Sequence, residues 1–200
     1  MTRDEIIEKG VRAALELAET EKWGSLSLAA IAKEAGLALK DFHGAADKDD
    51  LSAAVEPLFD AGMSEGSIDP EETPRTRLFD VIMMRFEAME EVRDGAVSYL
   101  RWRDRSFDGL ALRLKARAAT AKWALACAGL DGSSKIPRGV QVAALGWAIA
   151  QAERAWRQEL SEDLSQTMAA LDAELIKLEE RIEWLDKRRA RRKPAAETNA

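Results

Sequence analysis

LAAIAKEAGLALKDFHGAADKDDL, residues Leu28 to Leu51, has the outline of two short helices joined at a tight corner. Ile31-Ala32 and Ala35-Gly36 place small and apolar side chains where two helices would pack closely. Gly36 can take a positive φ without the penalty a Cβ brings, and so ends the first helix. Leu37 then re-enters the core, and the pattern predicts a second helix from Ala38 to His43. Such a corner is either an ordinary bend in an all-α domain or a helix-turn-helix, whose second helix enters the major groove of DNA.

The flanks fit the second alternative. Ahead of the corner, Ile6, Ile7, Val11, Ala14, Leu15 and Ala18 recur at helical spacing. Trp23-Gly24 closes that helix, and Ser25 or Ser27 offers an N-cap to the next. After the corner, Lys48-Asp49-Asp50-Leu51 opens a fourth helix with its acids where the macrodipole favours them. That helix is expected to reach about Met63, with Pro57 either sitting early in it or bending it. Gly66 to Thr73, GSIDPEET, is the clearest linker, and Pro74 suits the first turn of a helix over 75–93. Asp94-Gly95 is expected to break the chain before helices over 96–103, 109–128 and 137–160, and Ser161 or Asp163 to cap the last. Strand-like alternation and internal repeats are missing. The expected fold is all-α with about nine helices. Its parts are a three-helix helix-turn-helix domain over 1–55, a helical ligand and dimer domain over 56–186, and a basic disordered tail over 187–200.

The segment Arg3 to Val55 resembles the N-terminal domain of the TetR family of bacterial transcriptional regulators. The resemblance is carried by Trp23-Gly24, Ser25-Leu26-Ser27-Leu28, Ile31-Ala32-Lys33-Glu34-Ala35-Gly36, Leu37 to His43, and Lys48-Asp49-Asp50-Leu51. It implies a homodimer that binds double-stranded operator DNA and answers a small apolar ligand in its C-terminal domain. Carried onto this chain, it implies DNA contacts from Ser25 and Ser27 through hydroxyls, from Lys40 to a base edge, from Asp41 beside it, and from His43 and Lys48 to phosphate. The recognition helix departs from the family pattern. Ala38 stands where the family has a hydroxyl, Lys40-Asp41 where it has a small pair, His43 where it has a Tyr, and Gly44-Ala45-Ala46 where an aromatic step follows.

Charge bears on the same point. Residues 1–55 hold 7 Lys+Arg against 11 Asp+Glu, a net of −4, whereas DNA affinity comes largely from neutralised phosphates. Only Lys33, Lys40, His43 and Lys48 lie near the corner to help, and Asp41 and Asp47 oppose them. The alternative function is a lipid- or isoprenoid-binding protein that has lost DNA reading. Trp156 to Asp163, WRQELSED, followed by Thr167 and Leu171, is loosely similar to the ubiquinone-biosynthesis lipid-binding family, which has a TetR-like fold.

Two further patterns belong to the C-terminal part. Leu164, Met168, Leu171, Leu175, Leu178, Ile182 and Leu185 follow one another at steps of 4, 3, 4, 3, 4 and 3, a helix seam. Its partner is an internal helix or a second subunit; the family resemblance implies a homodimer through Pro137–Leu185. Trp102, Trp123 and Trp147, with Met83 and Phe86, form either plain core or an apolar pocket, with Arg101 at its mouth. The string Arg101-Trp102-Arg103-Asp104-Arg105 otherwise reads as a solvated face.

Enzymatic chemistry is not expected. His43 is the single histidine and Cys127 the single cysteine, so one chain holds no His-based triad, disulfide or multi-cysteine metal site. No glycine-rich phosphate loop or metalloprotease signature occurs. The abundant carboxylates read as solvent-facing. No cofactor is expected. With no apolar run of the ~18–20 residues a span needs, and a charged N-terminus, the expected location is cytoplasmic.

Overall fold

Local capping chemistry explains where the helices begin. Thr2 accepts from the Glu5 amide at 3.2 Å while the Glu5 carboxylate accepts from the Thr2 amide at 2.8 Å. This reciprocal box opens α1, Arg3–Leu17. In the computed structural model, which describes residues 1–66, 68–132 and 136–192, nine α-helices and no strands occur among the described residues. The chain separates into two compact units, parted between Lys135 and Ile136.

In the first unit, α1 is followed by a 3₁₀ turn at Trp23–Ser25, then α2, Leu28–Glu34, α3, Leu39–Phe42, and α4, Lys48–Ala61. A second 3₁₀ turn, Gly62–Ser64, leads to α5, Pro74–Glu90, α6, Arg93–Arg105, and α7, Phe107–Cys127. Thr73 caps α5, Pro74 lies in its first turn, and Ser106 caps α7 by accepting from Gly109 at 2.9 Å. α4 runs across position 55, so the residues on either side of the expected domain boundary share one helix. Pro57 lies inside α4. Pro57 and Ala53, whose carbonyl loses its helical donor, are both exposed, so water can serve that carbonyl.

The expected break at Asp94-Gly95 falls instead within the first turn of α6. The reason is packing: a Cβ on Gly95 would sit 2.1 Å from the Leu15 carbonyl oxygen, so α6 comes this close to α1 only through a glycine. Around that contact, the Trp23 amide donates to Ser98 Oγ at 3.1 Å, the Trp23 indole to Ser52 Oγ at 3.2 Å, and Tyr99 Oη to the Ser52 carbonyl at 3.2 Å. Trp23 also meets Tyr99 edge-on, with ring centroids 5.0 Å apart.

α4 carries the polar heart of this unit. Glu56 accepts from Arg85 of α5 at 2.5 Å through one oxygen and from Arg103 of α6 through the other. Asp60 accepts from Arg85 Nε at 2.8 Å and from Thr120 Oγ1 of α7 at 2.7 Å. Arg85 and Arg103 are fully buried, and Phe59 and Phe86 face the Arg85 guanidinium, each ring centroid 5.9 Å from it. The expectation that the carboxylates and the Arg101–Arg105 string face solvent is thus corrected in part: Arg101 is exposed, but Arg103 is interior. An arginine can be buried here because charged partners and hydrogen bonds arrive from other helices.

The second unit pairs α8, Arg138–Trp156, with α9, Ser165–Arg192. Val142, Leu145, Ile149, Ala152 and Trp156 are buried on α8, and Leu171 and Leu175 on α9. The seam therefore has an internal partner along its first half. α9 continues as helix to Arg192, into the first part of the run expected as a disordered tail; residues 193–200 lie outside the described residues. No helix among the described residues is long and apolar enough to cross a membrane.

Candidate nucleic-acid interface

The α2–α3 corner forms as the sequence predicts, with a shorter second helix. Ser27 caps α2 by accepting from the Ala30 amide at 3.1 Å. Gly36 takes φ +66°, the Gly36 amide donates to the Lys33 carbonyl at 3.1 Å, and the Leu37 amide to the Ala32 carbonyl at 2.9 Å. Ile31, Ala32 and Phe42 are buried beneath the corner. α3 spans four residues, because Gly44, at φ +74°, turns the chain away and the Ala45 and Ala46 amides both close on the Phe42 carbonyl at 3.0 Å.

The predicted DNA-facing residues divide by what they touch. Lys40 and His43 are exposed on α3 and its C-terminal end, beside Leu39, which is half-exposed. Asp41 turns its carboxylate back onto the Ala38 amide at 2.9 Å and so serves the start of α3. Ser25 and Ser27 are both exposed, and Ser25 Oγ donates to the Lys22 carbonyl at 2.7 Å. Lys48 is different. Its ammonium donates to the Leu26 carbonyl at 2.7 Å and the Gly24 carbonyl at 3.0 Å, clipping the start of α4 to the strap before α2. Burial pushes its pKa down, and Asp49 pushes it the other way.

Next to α3 lies an open depression of about 880 Å³, lined in part by Leu28, Leu39, Lys40, His43, Asp47 and Arg3. Arg3 closes one side by donating from Nε to the Ala45 carbonyl at 2.8 Å and from its guanidinium to Asp50 at 3.0 Å. Sequence reasoning did not single out Arg3. Its partners lie more than 40 residues away, and only the closed corner brings them together.

The candidate ligand residues occupy varied surroundings. Met83 and Phe86 are buried in the packed side of α5. Trp102 lies half-buried against Trp23, with centroids 6.4 Å apart, and would be 3.2 Å from a Cβ at Gly24. Trp123 is half-exposed, and its indole donates to the Asp60 carbonyl at 2.9 Å. Trp147 is exposed on α8 of the second unit. Cys127, at the end of α7, is partly buried, which raises its thiol pKa, with the Asp60 charge adding to the effect. Among the described residues, no three His, Cys, Asp or Glu side chains are placed to hold a metal ion.

The residues that carried the lipid-family likeness gather at the α8–α9 turn. The Glu159 carboxylate accepts from the amides of Leu160, Ser161, Gln166 and Thr167 at 2.8–3.1 Å, and from the hydroxyls of Ser161 and Thr167. The Ser161 hydroxyl, above all, and the surrounding amides hold the Glu159 pKa down at about 2. The acid, the serine and the threonine of that likeness thus meet in one turn.

No family model matches the sequence, and no curated protein sequence matches it. Solved structures do. A TetR transcriptional regulator from Nitrosomonas europaea ATCC 19718 superposes with a TM-score of 0.69 at 18% identity, covering 86% of this chain and 96% of that one. A TetR transcriptional regulator from Rhodococcus sp. RHA1 gives 0.57 at 18% identity, covering 85% and 94%. A glycine-closed helical corner at the N-terminus and an all-helical remainder, in an arrangement shared with these two proteins over most of their length, give this chain a TetR-like fold.

Proposed function

We propose that this protein is a DNA-binding regulator of the TetR type, reading duplex DNA with the exposed side of α3. The observation that carries the reading is the division of labour at the corner. Ile31, Ala32 and Phe42 are buried and Lys48 is clipped inward, while Lys40 and His43 stand free of the core on a short helix. A recognition helix needs this combination of rigid support and outward polar groups. Lys40 is assigned to a base edge and His43 to phosphate, with Ser25 and Ser27 flanking. Lys48 acts by holding the strap before α2 in place. The two solved proteins that share this fold are TetR transcriptional regulators, which supports the same reading.

The proposal includes a homodimer and a small apolar effector. Val140, Trp147, Met168 and Ile176 are exposed apolar residues of α8 and α9, and a second copy packed there would remove them from water. An effector would shift the population between two placements of the heads. Trp123, half-exposed above Asp60, is the residue we assign to its wall.

The test is an anisotropy titration against the DNA upstream of the protein's own coding sequence and against random duplex, at two salt concentrations. Selective binding is expected. Lys40→Ala should remove about 1–3 kcal/mol of discrimination, whereas Lys48→Ala should weaken all sequences alike. Equal, sequence-blind losses from both would end the Lys40 assignment. Wild-type binding no tighter to upstream than to random DNA at low salt would end the regulator reading; mass spectrometry of co-purified lipids would then test the alternative.

A further inference from the structure

We infer that Arg3 is a positioning residue for α3: its guanidinium grips the chain where that helix ends, and so fixes the side of α3 that meets DNA. The inference rests on the DNA-binding reading and adds to it a residue from outside the corner. It starts from the weakness of α3 itself. Leu39–Phe42 make a single turn, and a helix of one turn does not persist without outside support. Its N-cap is Ala38, which has no side-chain oxygen to accept from the helix amides. Phe42 anchors one side in the core, but Lys40 and His43 are exposed, so their direction depends on how the ends of α3 are held.

The first turn of α4 supplies both holds. At the entry to the corner, Lys48 donates to the Leu26 and Gly24 carbonyls, just ahead of the Ser27 cap. At the exit, Asp50 Oδ1 accepts from Arg3 Nη2 at 3.0 Å, while Arg3 Nε donates to the Ala45 carbonyl at 2.8 Å. The chain leaves α3 through Ala45, whose own amide closes on the Phe42 carbonyl. Asp50 is itself fixed, because its other oxygen accepts from the Asp47 amide at 3.1 Å in the cap of α4. Arg3 thus joins the starts of α1 and α4 to the end of α3. Nε and Nη2 lie on one edge of a planar guanidinium, a fork that meets two acceptors in set directions; an ammonium has no such fork.

The place of Arg3 in α1 points the same way. The Thr2–Glu5 box fixes Arg3 as the first residue of that helix. A cation in a first turn works against the helix dipole, which Asp4 and Glu5 satisfy, so α1 alone gives no reason for an arginine there. Overall stability gives none either: the Arg3 and Asp50 side chains are 56% and 40% exposed, and exposed pairs contribute little. The effect of the contact is local. Arg3 also lines the open depression that Leu39, Lys40 and His43 line, so it braces α3 beside the groups assigned to DNA. The rival role for a guanidinium in that place is a direct contact to phosphate, and the two differ in what they need. A phosphate contact needs the charge, whereas the brace needs the fork.

The experiment uses the full chain carrying R3A or R3K, read in two ways. In anisotropy titrations, the preference for upstream over random duplex should fall about tenfold in R3A, the scale of one charge-assisted hydrogen bond lost. R3K, which keeps the charge but not the fork, should lose as much. The slope of log K against log salt on random duplex should stay unchanged in both. In amide hydrogen exchange without DNA, Ala45 and Ala46 should exchange faster in both variants, with Leu51 and Val55 of α4 unchanged. A slope reduced by about 0.9 in R3A and restored in R3K would make Arg3 a phosphate contact and overturns the inference. So does unaltered exchange at Ala45 and Ala46, and so does a rise shared by Leu51 and Val55, which would mean general loosening. A wild type with no upstream preference sinks the α3 reading; faster exchange confined to Ala45 and Ala46 then leaves the brace standing.

Discussion

Glu56 and Glu159 are both buried glutamates, 3% and 4% exposed, held in opposite ways. Glu56, in the first unit, is met by two guanidinium groups from α5 and α6, 29 and 47 residues further along the chain. Glu159, in the second unit, is met by amides and hydroxyls drawn from residues 160–167. A carboxylate paired with distant cations ties several helices into one cooperative body. One solvated by neutral donors from its own turn shapes that turn and little else. The same residue type thus serves as a tie between helices in one place and as a local clasp in the other.

The most severe way to break the comparison is Glu56→Ala. Arg85 keeps Asp60 and Arg103 keeps Asp104 at 3.2 Å, but the carboxylate that both guanidinium groups share is gone. Removing one partner of a buried ion pair costs about 3–5 kcal/mol, and the surviving Asp60 and Asp104 contacts should hold the loss toward the lower end. Urea unfolding of the full chain should show this as a lower midpoint for the first unit's transition. A cost under about 1 kcal/mol would mean that water or relaxation reaches the site, and that Glu56 is no stronger a tie than an ordinary hydrogen bond.

Thr120→Val makes a finer test of the same network. The hydroxyl that donates to Asp60 Oδ2 at 2.7 Å disappears while the shape is kept. One buried carboxylate oxygen loses a donor but keeps its charge partner on the other oxygen, so the expected loss is about 1–3 kcal/mol. Combining Thr120→Val with Glu56→Ala should give less than the sum of the two, since both act on residues bound to Arg85. Strict additivity in the double variant would separate the two carboxylates into independent contacts.

These two sites also mark where sequence reading succeeds and where it stops. The corner was legible because Gly36, Ser27 and the buried Ile31-Ala32 pair act within a few residues of one another. Pro74 and the start of α4 at Lys48 were legible for the same reason. The network around Glu56 was not, because an arginine in a helix reads as surface until a carboxylate 47 positions away is folded against it. Gly95 misled in a related way: it reads as a breaker, but its missing Cβ admits the Leu15 carbonyl of another helix. At the Glu159 turn the sequence shows a spacing of Trp, acid, Ser and Thr that is loosely similar to a lipid-binding family. What that spacing builds shows only when the amides of 160, 161, 166 and 167 converge on one carboxylate. At the candidate interface, the sequence expects Lys40 and His43 on one helix, and the structure has Lys40 on α3 and His43 at its C-terminal end. The sequence could not separate them from Lys48, whose ammonium turns inward to two carbonyls.

The mildest expected effect belongs to Glu159→Gln. The folded protein holds this carboxyl at a pKa of about 2, below its ordinary 4.5. A depressed pKa contributes stability that is fully present above the ordinary value and is lost as pH falls through the depressed one. The wild type should therefore lose part of the second unit's stability between pH 4.5 and about 2. Asp163, also held low and first of all by the Ser161 hydroxyl, titrates in both proteins. Asp163 also feels the Glu159 charge, so the difference between wild type and variant across that window reports the coupled pair, with Glu159 the group removed. The variant should unfold more easily at pH 7, because its amide nitrogen faces donors that need an acceptor, and the gap should narrow steadily below pH 4.5. Parallel stability curves from pH 7 to pH 2 would show that the charge at Glu159 is immaterial to the turn. The contrast with Glu56 would then reduce to a difference in packing rather than in how each carboxylate is neutralised.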